Sequence, residues 1–313
     1  MKSKFLKFGA SIILLIVATF IIGPSCSNSS PVQSETLPCS TTNEMIGIKM
    51  TNSGISPEYN TFLFPTSNAA PVNNIPISPS RLFTYGGVYN VLSQDYALIS
   101  NNSQTGNANL IKINGAGLQT VSVLTGYYAE PVYLNNNLYF ANIETISGVT
   151  TFKILDKNFV VLKSLTINAS KVFTTSTTDN SRYIYYLSEP FLITYDKQNN
   201  TLVSCDLALG TNLLGLEFKN ETTLLAIKAS SGGSEIISLN ITNAANVSVS
   251  TLFNLGLTVH PELYSTVYNS CNNKYYISEA FAGTGIIAAD LNTNTKIIAN
   301  LGANKIIGLA YKN

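Results

Sequence analysis

KIIGLAYKN at residues 305–313 ends the chain, and it repeats an earlier phrase, LLGLEFKN, at residues 213–220. The earlier copy is followed at once by a second apolar run, residues 223–229, whereas the chain stops after the later copy. Near the other end, EMIGIKMTN at residues 44–52 reads as a second strand with no first strand before it. We therefore expect the C-terminus to supply the inner strand of a sheet that the N-terminus begins, which closes a ring and leaves no open edge.

Short apolar runs broken by Asn, Gly, Ser and Thr recur in groups of four along the chain. An Asx residue marks the turn between the third and fourth runs of successive groups: Asn114, Asp156, Asp196, Asn240 and Asp290. These markers are separated by 42, 40, 44 and 50 residues. Side chains of Asn and Asp bond to their own backbone at such turns. A period in the forties with four strands per repeat is typical of a β-propeller.

The runs predict an all-β fold over residues 44–313, a six-bladed β-propeller of four-stranded blades whose first blade is closed by the C-terminal strand. The predicted strands of the first blade are residues 305–311, 45–50, 61–65 and 74–77. Those of the other blades are residues 88–92, 96–100, 109–114 and 119–124; 131–134, 137–144, 150–156 and 160–166; 172–176, 183–188, 191–196 and 201–207; 213–218, 223–229, 235–242 and 247–254; and 264–268, 274–278, 285–290 and 296–300.

Two turn phrases, ITYDKQNNTLVS at residues 193–204 and AADLNTNTKII at residues 288–298, resemble the repeats of YVTN/NHL-like and quinoprotein-like propellers. The resemblance covers most of residues 44–313 and implies an architecture rather than an activity. Quinoprotein repeats usually carry a Trp in each blade, and this chain has none. That difference argues against pyrroloquinoline quinone, and we expect no cofactor.

The first 25 residues have the organisation of an export signal, with lysines ahead of an apolar run at residues 8–22. That run is short for a membrane span. Cys26 follows the run closely and resembles the lipidated Cys of bacterial lipoproteins, which implies a lipid anchor at Cys26. The alternative is an ordinary secretory signal with an incidental Cys. Residues 26–43 are rich in Ser, Thr and Pro and are expected to form a flexible tether.

Three further cysteines follow the signal: Cys39, Cys205 and Cys271. Exported proteins can keep disulfides. In a closed ring, Cys39 and Cys271 fall in equivalent connections of adjacent blades, so we expect a disulfide between them. Cys205 falls in the outer strand of a blade on the far side of the ring, and we expect it to be a free thiol.

Composition and motifs exclude several classes of function. Charged residues make up 11% of the chain and the formal net charge is +1, so no charged field is expected to attract nucleic acid. The chain has one His and no CxxC pattern, and we expect no metal site. A Ser-His-Asp enzyme would need His260, and GxSxG is absent. Paired carboxylates carry no such motif, so an enzyme that uses them stays open.

Candidate ligand-binding residues come from the loops that lead into the inner strands, since loops on a rigid scaffold often carry function. They are Arg81, Tyr85, Tyr127, Tyr128, Glu130, His260 and Glu262. Aromatic rings beside a few charged groups suit a small polar ligand or a peptide segment. In the structural alternative, the tyrosines cap the core and the carboxylates bond loop amides.

The leading interpretation is an exported, lipid-anchored propeller that serves as a binding or scaffold module at the bacterial cell envelope. It would lie at the outer membrane, on the periplasmic face or the cell surface, and contact the membrane only through its lipid. Its partner would be a protein, a peptide or a glycan. The alternatives are a lyase or hydrolase that acts on a glycan or lactone with loop carboxylates and His260, and a subunit of an envelope complex with no ligand of its own.

Overall fold

The computed structural model describes most of the chain after residue 43. The described ranges are residues 44–50, 58–63, 70–74, 83–102, 105–168, 174–188, 190–207, 213–242, 247–259, 264–279, 285–299 and 305–312. The predicted export signal, the predicted anchor at Cys26 and the predicted tether lie outside these ranges. Within them, no helix is long and apolar enough to cross a bilayer.

Five antiparallel sheets of four strands each, named blades I to V here, make up most of the fold. Blade I consists of β25 (Lys305–Tyr311), β1 (Glu44–Met50), β2 (Glu58–Leu63) and β3 (Ala70–Asn74). Blade II consists of β4 (Phe83–Asn90), β5 (Asp95–Asn102), β6 (Asn107–Ile113) and β7 (Gln119–Thr125). Blade III consists of β13 (Thr174–Thr178), β14 (Tyr183–Ser188), β15 (Phe191–Asp196) and β16 (Thr201–Asp206). Blade IV consists of β17 (Leu213–Asn220), β18 (Thr223–Lys228), β19 (Glu235–Asn240) and β20 (Ser248–Asn254), and blade V of β21 (Tyr264–Asn269), β22 (Lys274–Glu279), β23 (Gly285–Asp290) and β24 (Thr295–Ala299).

The prediction of six four-stranded blades is wrong, because only five sheets have four strands in the part of the chain that the structure describes. Between blades II and III lies a five-stranded sheet of β8 (Tyr127–Tyr128), β9 (Val132–Leu134), β10 (Asn137–Ile146), β11 (Val149–Leu155) and β12 (Val161–Ile167). Its inner edge is divided, since β8 and β9 both pair with β10. Pro131, at the break, has no backbone N–H to donate. Glu130 beside it turns its polar groups toward blade III instead.

The predicted pairing of the two chain ends is confirmed. Strand β25 pairs antiparallel with β1, with Ala310 opposite Ile46 and Lys305 opposite Met50. The Lys312 ammonium lies 2.6 Å from the Glu44 carboxylate, and the Lys312 N–H donates to the Glu44 carbonyl at 3.1 Å. The last strand therefore forms the inner edge of a sheet whose other strands come from the start of the domain.

The core consists of separate apolar layers, each between two neighbouring sheets. The layers lie between blades I and II, between blade II and the five-stranded sheet, between that sheet and blade III, and then between blades III and IV, IV and V, and V and I. The last layer returns to the first blade, so the sheets form a closed ring. Among the described residues, each sheet thus packs against a neighbour on both sides, which stabilises the fold by removing apolar area from water.

The predicted turn chemistry is confirmed at every marker. The side-chain oxygens of the Asx residues accept backbone N–H groups from residues two to four positions later. These bonds are Ala116 and Leu118 to Asn114, Asn158 and Val160 to Asp156, Gln198 and Asn199 to Asp196, Thr242 to Asn240, and Asn292 and Thr293 to Asp290.

The two matching phrases each contain a glycine that a bulge requires. In each strand, two residues lie opposite a single residue of the second strand. In β17, Gly215 and Leu216 lie opposite Ala226, and in β25, Gly308 and Leu309 lie opposite Gly47. Gly215 and Gly308 have positive φ, 59° and 62°, a conformation that side chains disfavour. The Tyr96 hydroxyl of blade II donates to the Gly308 carbonyl at 2.5 Å, and the Tyr275 hydroxyl of blade V donates to the Gly215 carbonyl. Each of these two bulges is thus bonded to the next sheet in the ring.

The predicted free thiol at Cys205 is wrong, because both Cys205 and Cys271 are disulfide-bonded. The predicted partner of Cys271 is Cys39, which lies outside the described residues. That pairing stays a prediction.

Gly308→Ala is expected to destabilise the ring by about 1–3 kcal/mol beyond the strain of its backbone, because overpacking a tight contact costs that much. A Cβ at Gly308 would lie 2.2 Å from the Tyr96 hydroxyl oxygen. Gly106→Ala is the matched control, since Gly106 has a similar φ of 68° and open space around a built Cβ. Urea unfolding measures both variants. Equal losses in the free energy of unfolding would show that the contact with Tyr96 does not matter.

Candidate functional site

A central cavity of about 810 Å³ lies where the inner strands meet. Blades I to V contribute their first strands, β25, β4, β13, β17 and β21, and the five-stranded sheet contributes β9 and the two residues before it. Ligand pockets in proteins span roughly 300–1,000 Å³. The cavity is therefore large enough for a small molecule or for a few residues of a peptide.

The mouth of the cavity is formed by connections between first and second strands. Asn180, Glu221, Thr222, Ser270 and Cys271 line this end, and all five are exposed to solvent. The sequence placed the ligand-binding face at the loops that lead into the first strands. The described cavity opens at the opposite ends of those strands.

Glu130 is a buried carboxyl group of the cavity, with 8% of the residue exposed. Its Oε2 accepts the Ser176 N–H at 2.9 Å and the Thr175 hydroxyl at 3.0 Å. Its Oε1 lies against β4, where a Cβ built on Gly86 would be only 2.8 Å away. Burial raises the pKa of Glu130 to about 7, although both hydrogen bonds favour the charged form.

Glu217 is the second carboxyl group of the cavity and belongs to β17. Its Oε1 accepts the Thr266 hydroxyl at 2.8 Å, and its carboxylate also accepts the Tyr268 N–H. Burial raises the pKa of Glu217 to about 8, and the charge of Glu130 adds to the rise. The two glutamates therefore interact electrostatically across the cavity, and neither is fully ionised at neutral pH.

Both glutamates bond to the next sheet in the ring, and hydroxyl groups make the same kind of bond elsewhere. The Leu216 N–H of blade IV donates to the Thr175 hydroxyl of blade III at 3.0 Å. The Leu309 N–H of blade I donates to the Ser265 hydroxyl of blade V. Inner strands are sheet edges with unpaired donors, and these side chains satisfy them. The glutamates thus combine a structural bond with a charge that faces the cavity.

Other side chains complete the lining. Four aromatic residues contribute to the wall: Tyr89, Phe218, Tyr268 and Tyr311. Asp179 is also a lining residue, but its carboxylate accepts the N–H groups of Arg182 and Tyr183 at 2.8 Å and so fixes its own turn. Among the described residues, no group of three or more His, Cys, Asp or Glu side chains is placed to hold a metal ion.

The structure places the predicted site residues in different environments. Glu130 lines the cavity, whereas Tyr127 and Tyr128 form β8 and are not among the described lining residues. Tyr128 instead exchanges two backbone bonds of 2.8 Å with the Asn101 side chain. Tyr85 belongs to β4, and its side chain is not described. The remaining candidates, Arg81, His260 and Glu262, lie outside the described residues.

Sequence reasoning missed Glu217, although a signal was present in the matched phrases. In LLGLEFKN and KIIGLAYKN, Glu217 occupies the position of Ala310. Both residues follow the glycine bulge by two positions and line the cavity. Because the other copy of the phrase has Ala at this position, the fold does not require a charged residue there.

No family model matches this sequence, and no curated protein matches it. Solved structures do match its fold. TolB from Acinetobacter baumannii has a TM-score of 0.62 at 12% identity, over 86% of this chain and 66% of the TolB chain. The chain therefore spans just under two thirds of the length of TolB.

A protein of unknown function from Bacteroides caccae has a TM-score of 0.56 at 10% identity, over 87% of this chain and 98% of that chain. Virginiamycin B lyase from Staphylococcus aureus has a TM-score of 0.49 at 8% identity, over 82% of this chain and 84% of that one. The chain is a β-propeller. At these identities the likeness shows the fold alone.

Stability is expected to fall as pH rises from about 5 to about 9, because the folded state holds protons that the unfolded state has released. The folded pKa values of Glu130 and Glu217, about 7 and about 8, lie above the ordinary value of 4.5. Protonation of the two glutamates therefore stabilises the fold fully below pH 4.5. This stabilisation is lost as the pH rises through the folded pKa values of about 7 and about 8. The double variant Glu130→Gln, Glu217→Gln should flatten the decline.

The melting temperature across this pH range measures the effect. Glu144→Gln is the control, since the Glu144 side chain is 49% exposed and pairs with Lys153 at 2.7 Å on the surface. The control should keep the wild-type pH dependence. An unchanged slope in the double variant would contradict the assignment of the titration to these two glutamates.

Proposed function

We propose that this protein is an exported, lipid-anchored binding module of the bacterial cell envelope, and that its ligand binds in the central cavity. The observation that carries the proposal is the cavity itself, about 810 Å³, lined by the first strands of blades I to V and by β9. A closed ring of packed sheets holds these strands in place, so the site is formed before the ligand arrives. The export signal and the Cys26 pattern support the location at the envelope.

The fold likeness to TolB of Acinetobacter baumannii supports the propeller architecture alone. The proposed ligand is a protein segment, a peptide or a glycan fragment that reaches the cavity through its mouth. A scaffold role would use the outer surface of the ring, whereas Glu130, Glu217 and four aromatic side chains line the cavity. That distribution favours ligand binding over a role as a passive subunit.

Catalysis is a second candidate, because the pKa of Glu130, about 7, is suited to general acid–base chemistry. The bonds of the carboxyl groups count against it. Oε2 of Glu130 accepts two donors of blade III, and the Glu217 carboxylate accepts two donors of blade V. Proton transfer at these atoms would weaken contacts between sheets. Binding uses the same groups without that cost, so we favour it.

Glu221→Trp is expected to abolish capture of the envelope ligand, because a large ring at the exposed rim narrows the mouth. The measurement is quantitative mass spectrometry of peptides, proteins and glycans retained from envelope extracts by the immobilised protein. Lys163→Trp is the matched control, since Lys163 is exposed on the outer strand β12. Loss of the same component in both variants, or in neither, would contradict binding in the cavity.

Cys26→Ala is expected to release the protein from the membrane fraction or to block its maturation, because the thiol is the proposed site of lipid attachment. Metabolic labelling with a fatty acid, followed by fractionation, measures this in the producing bacterium. Ser34→Ala is the control, because Ser34 lies eight residues beyond Cys26 and should leave labelling unchanged. A wild-type protein that takes up no label would refute the anchor and leave the binding role untouched.

A further inference from the structure

One oxygen of Glu130 has no hydrogen-bond donor within the described part of the chain. The Thr175 hydroxyl and the Ser176 N–H both donate to Oε2 of Glu130, whereas Oε1 lies beside Gly86 in the lining of the cavity. The residue itself is more than nine-tenths buried. A carboxyl group in so buried a residue is costly to ionise without a charged partner. The structure thus contains a polar acceptor that a ligand could complete.

Among the described lining residues, acidic side chains outnumber cationic ones. Lys219 is the one lysine or arginine among the described lining residues. It does not lower the pKa of either glutamate, and the pKa values of both are raised. An empty cavity therefore favours two protonated carboxyl groups. A cation brought by a ligand would favour their ionised forms.

The aromatic residues supply the other half of such a site. Phe218 lies on β17 next to Glu217, and Tyr268 lies on the neighbouring strand β21. Tyr311 lies on β25 and Tyr89 on β4, and all four rings line the cavity while packing against the apolar layers between sheets. Aromatic faces attract ammonium and guanidinium groups, and they also pack against the apolar stem of a lysine or arginine side chain. Carboxyl groups deep in the cavity and rings along its wall together suit a cation on an apolar stem.

We propose that the ligand enters the cavity with a primary ammonium or guanidinium group, which binds the carboxyl groups of Glu130 and Glu217. This inference rests on the proposed binding function and specifies the chemistry of its ligand. In the bound state the cation keeps its charge and both carboxyl groups are ionised. Each carboxyl group that is protonated before binding releases its proton to solvent, so binding strengthens as pH rises.

Other titratable groups around the cavity do not produce the same pH dependence. On or beside the lining strands they are Tyr89, Asp179, Lys219, Glu221, Tyr268 and Tyr311. Burial raises the pKa values of Tyr89 and Tyr268, so these phenols stay neutral at moderate pH. Asp179 is held by its own turn. Within the described lining, Glu130 and Glu217 are the carboxyl groups whose pKa values are raised into the neutral range.

Calorimetric titration with N-acetyl-lysine amide and N-acetyl-arginine amide tests the proposal, with N-acetyl-norleucine amide as the uncharged probe. At low ionic strength the charged probes should bind about tenfold or more tightly at about pH 8.5 than at about pH 6, since the fraction of ionised carboxyl groups grows by that order. Buffers with different ionisation enthalpies should show proton release. Added salt should weaken binding less than it weakens a surface ion pair.

Glu130→Gln and Glu217→Gln should each weaken binding of the charged probes by about tenfold or more, as expected when one partner of a buried charged contact is removed. Glu144→Gln on the surface should leave binding unchanged. If a variant fails to fold, the pH dependence and proton release of the wild-type protein still decide. Equal binding of the norleucine probe, no binding of either charged probe at millimolar concentration, or binding without proton release would overturn the proposal. Tight calcium binding that both Gln variants abolish would also overturn it and indicate a metal site.

Cadaverine distinguishes two sources of the same chemistry. Preference for the lysine and arginine amides over cadaverine supports a peptide segment, whereas preference for cadaverine supports a free amine, and both results support the cation site. Failure of this inference is separable from failure of the binding function. If Glu221→Trp blocks capture of an envelope component while no charged probe binds, the cavity binds a ligand of another class.

Discussion

The inner edge of each sheet sets the main constraint on this molecule, because a sheet edge that faces a central channel exposes backbone donors with no strand to pair with. In this ring, side-chain oxygens rather than a neighbouring strand accept these backbone N–H groups. A hydroxyl or carboxyl group of one inner strand accepts an N–H of the next, as Thr175 does for Leu216 and Ser265 for Leu309. The sheets are thus joined at the centre by polar bonds and farther out by apolar layers.

Glutamates at two of these joints introduce a conflict between stability and chemistry. A hydroxyl makes the same bond without charge, as Thr175 and Ser265 show. Glu130 and Glu217 make it with a carboxyl group, and burial raises the pKa of both. Protonation relieves the cost of charge near neutral pH, but each proton held this way makes stability depend on pH. Locally unfavourable residues of this kind concentrate at functional sites.

Much of the fold could be predicted from local chemistry. Asn114 and Asp156 act within five residues of sequence, so the turn pattern and its spacing were readable. The match between the chain ends depended on a glycine that only a positive φ explains. The five-stranded sheet could not be predicted, because the break at Pro131 follows from bonds that Glu130 makes to a sheet some 45 residues later. The site was harder to predict, since Glu217 and Glu130 line the same cavity only once the ring has formed.

The closing strand gives the clearest reason to assign the glutamates to function rather than to folding. Strands β17 and β25 share the glycine bulge, the tyrosine bond to its carbonyl and the N–H bond that follows. They differ two residues after the bulge, where β17 has Glu217 and β25 has Ala310. Ala310 is buried beside the same cavity with the same strand geometry. The bulge and the ring therefore form without a carboxyl group at this position, and the charge at Glu217 needs an explanation outside the fold.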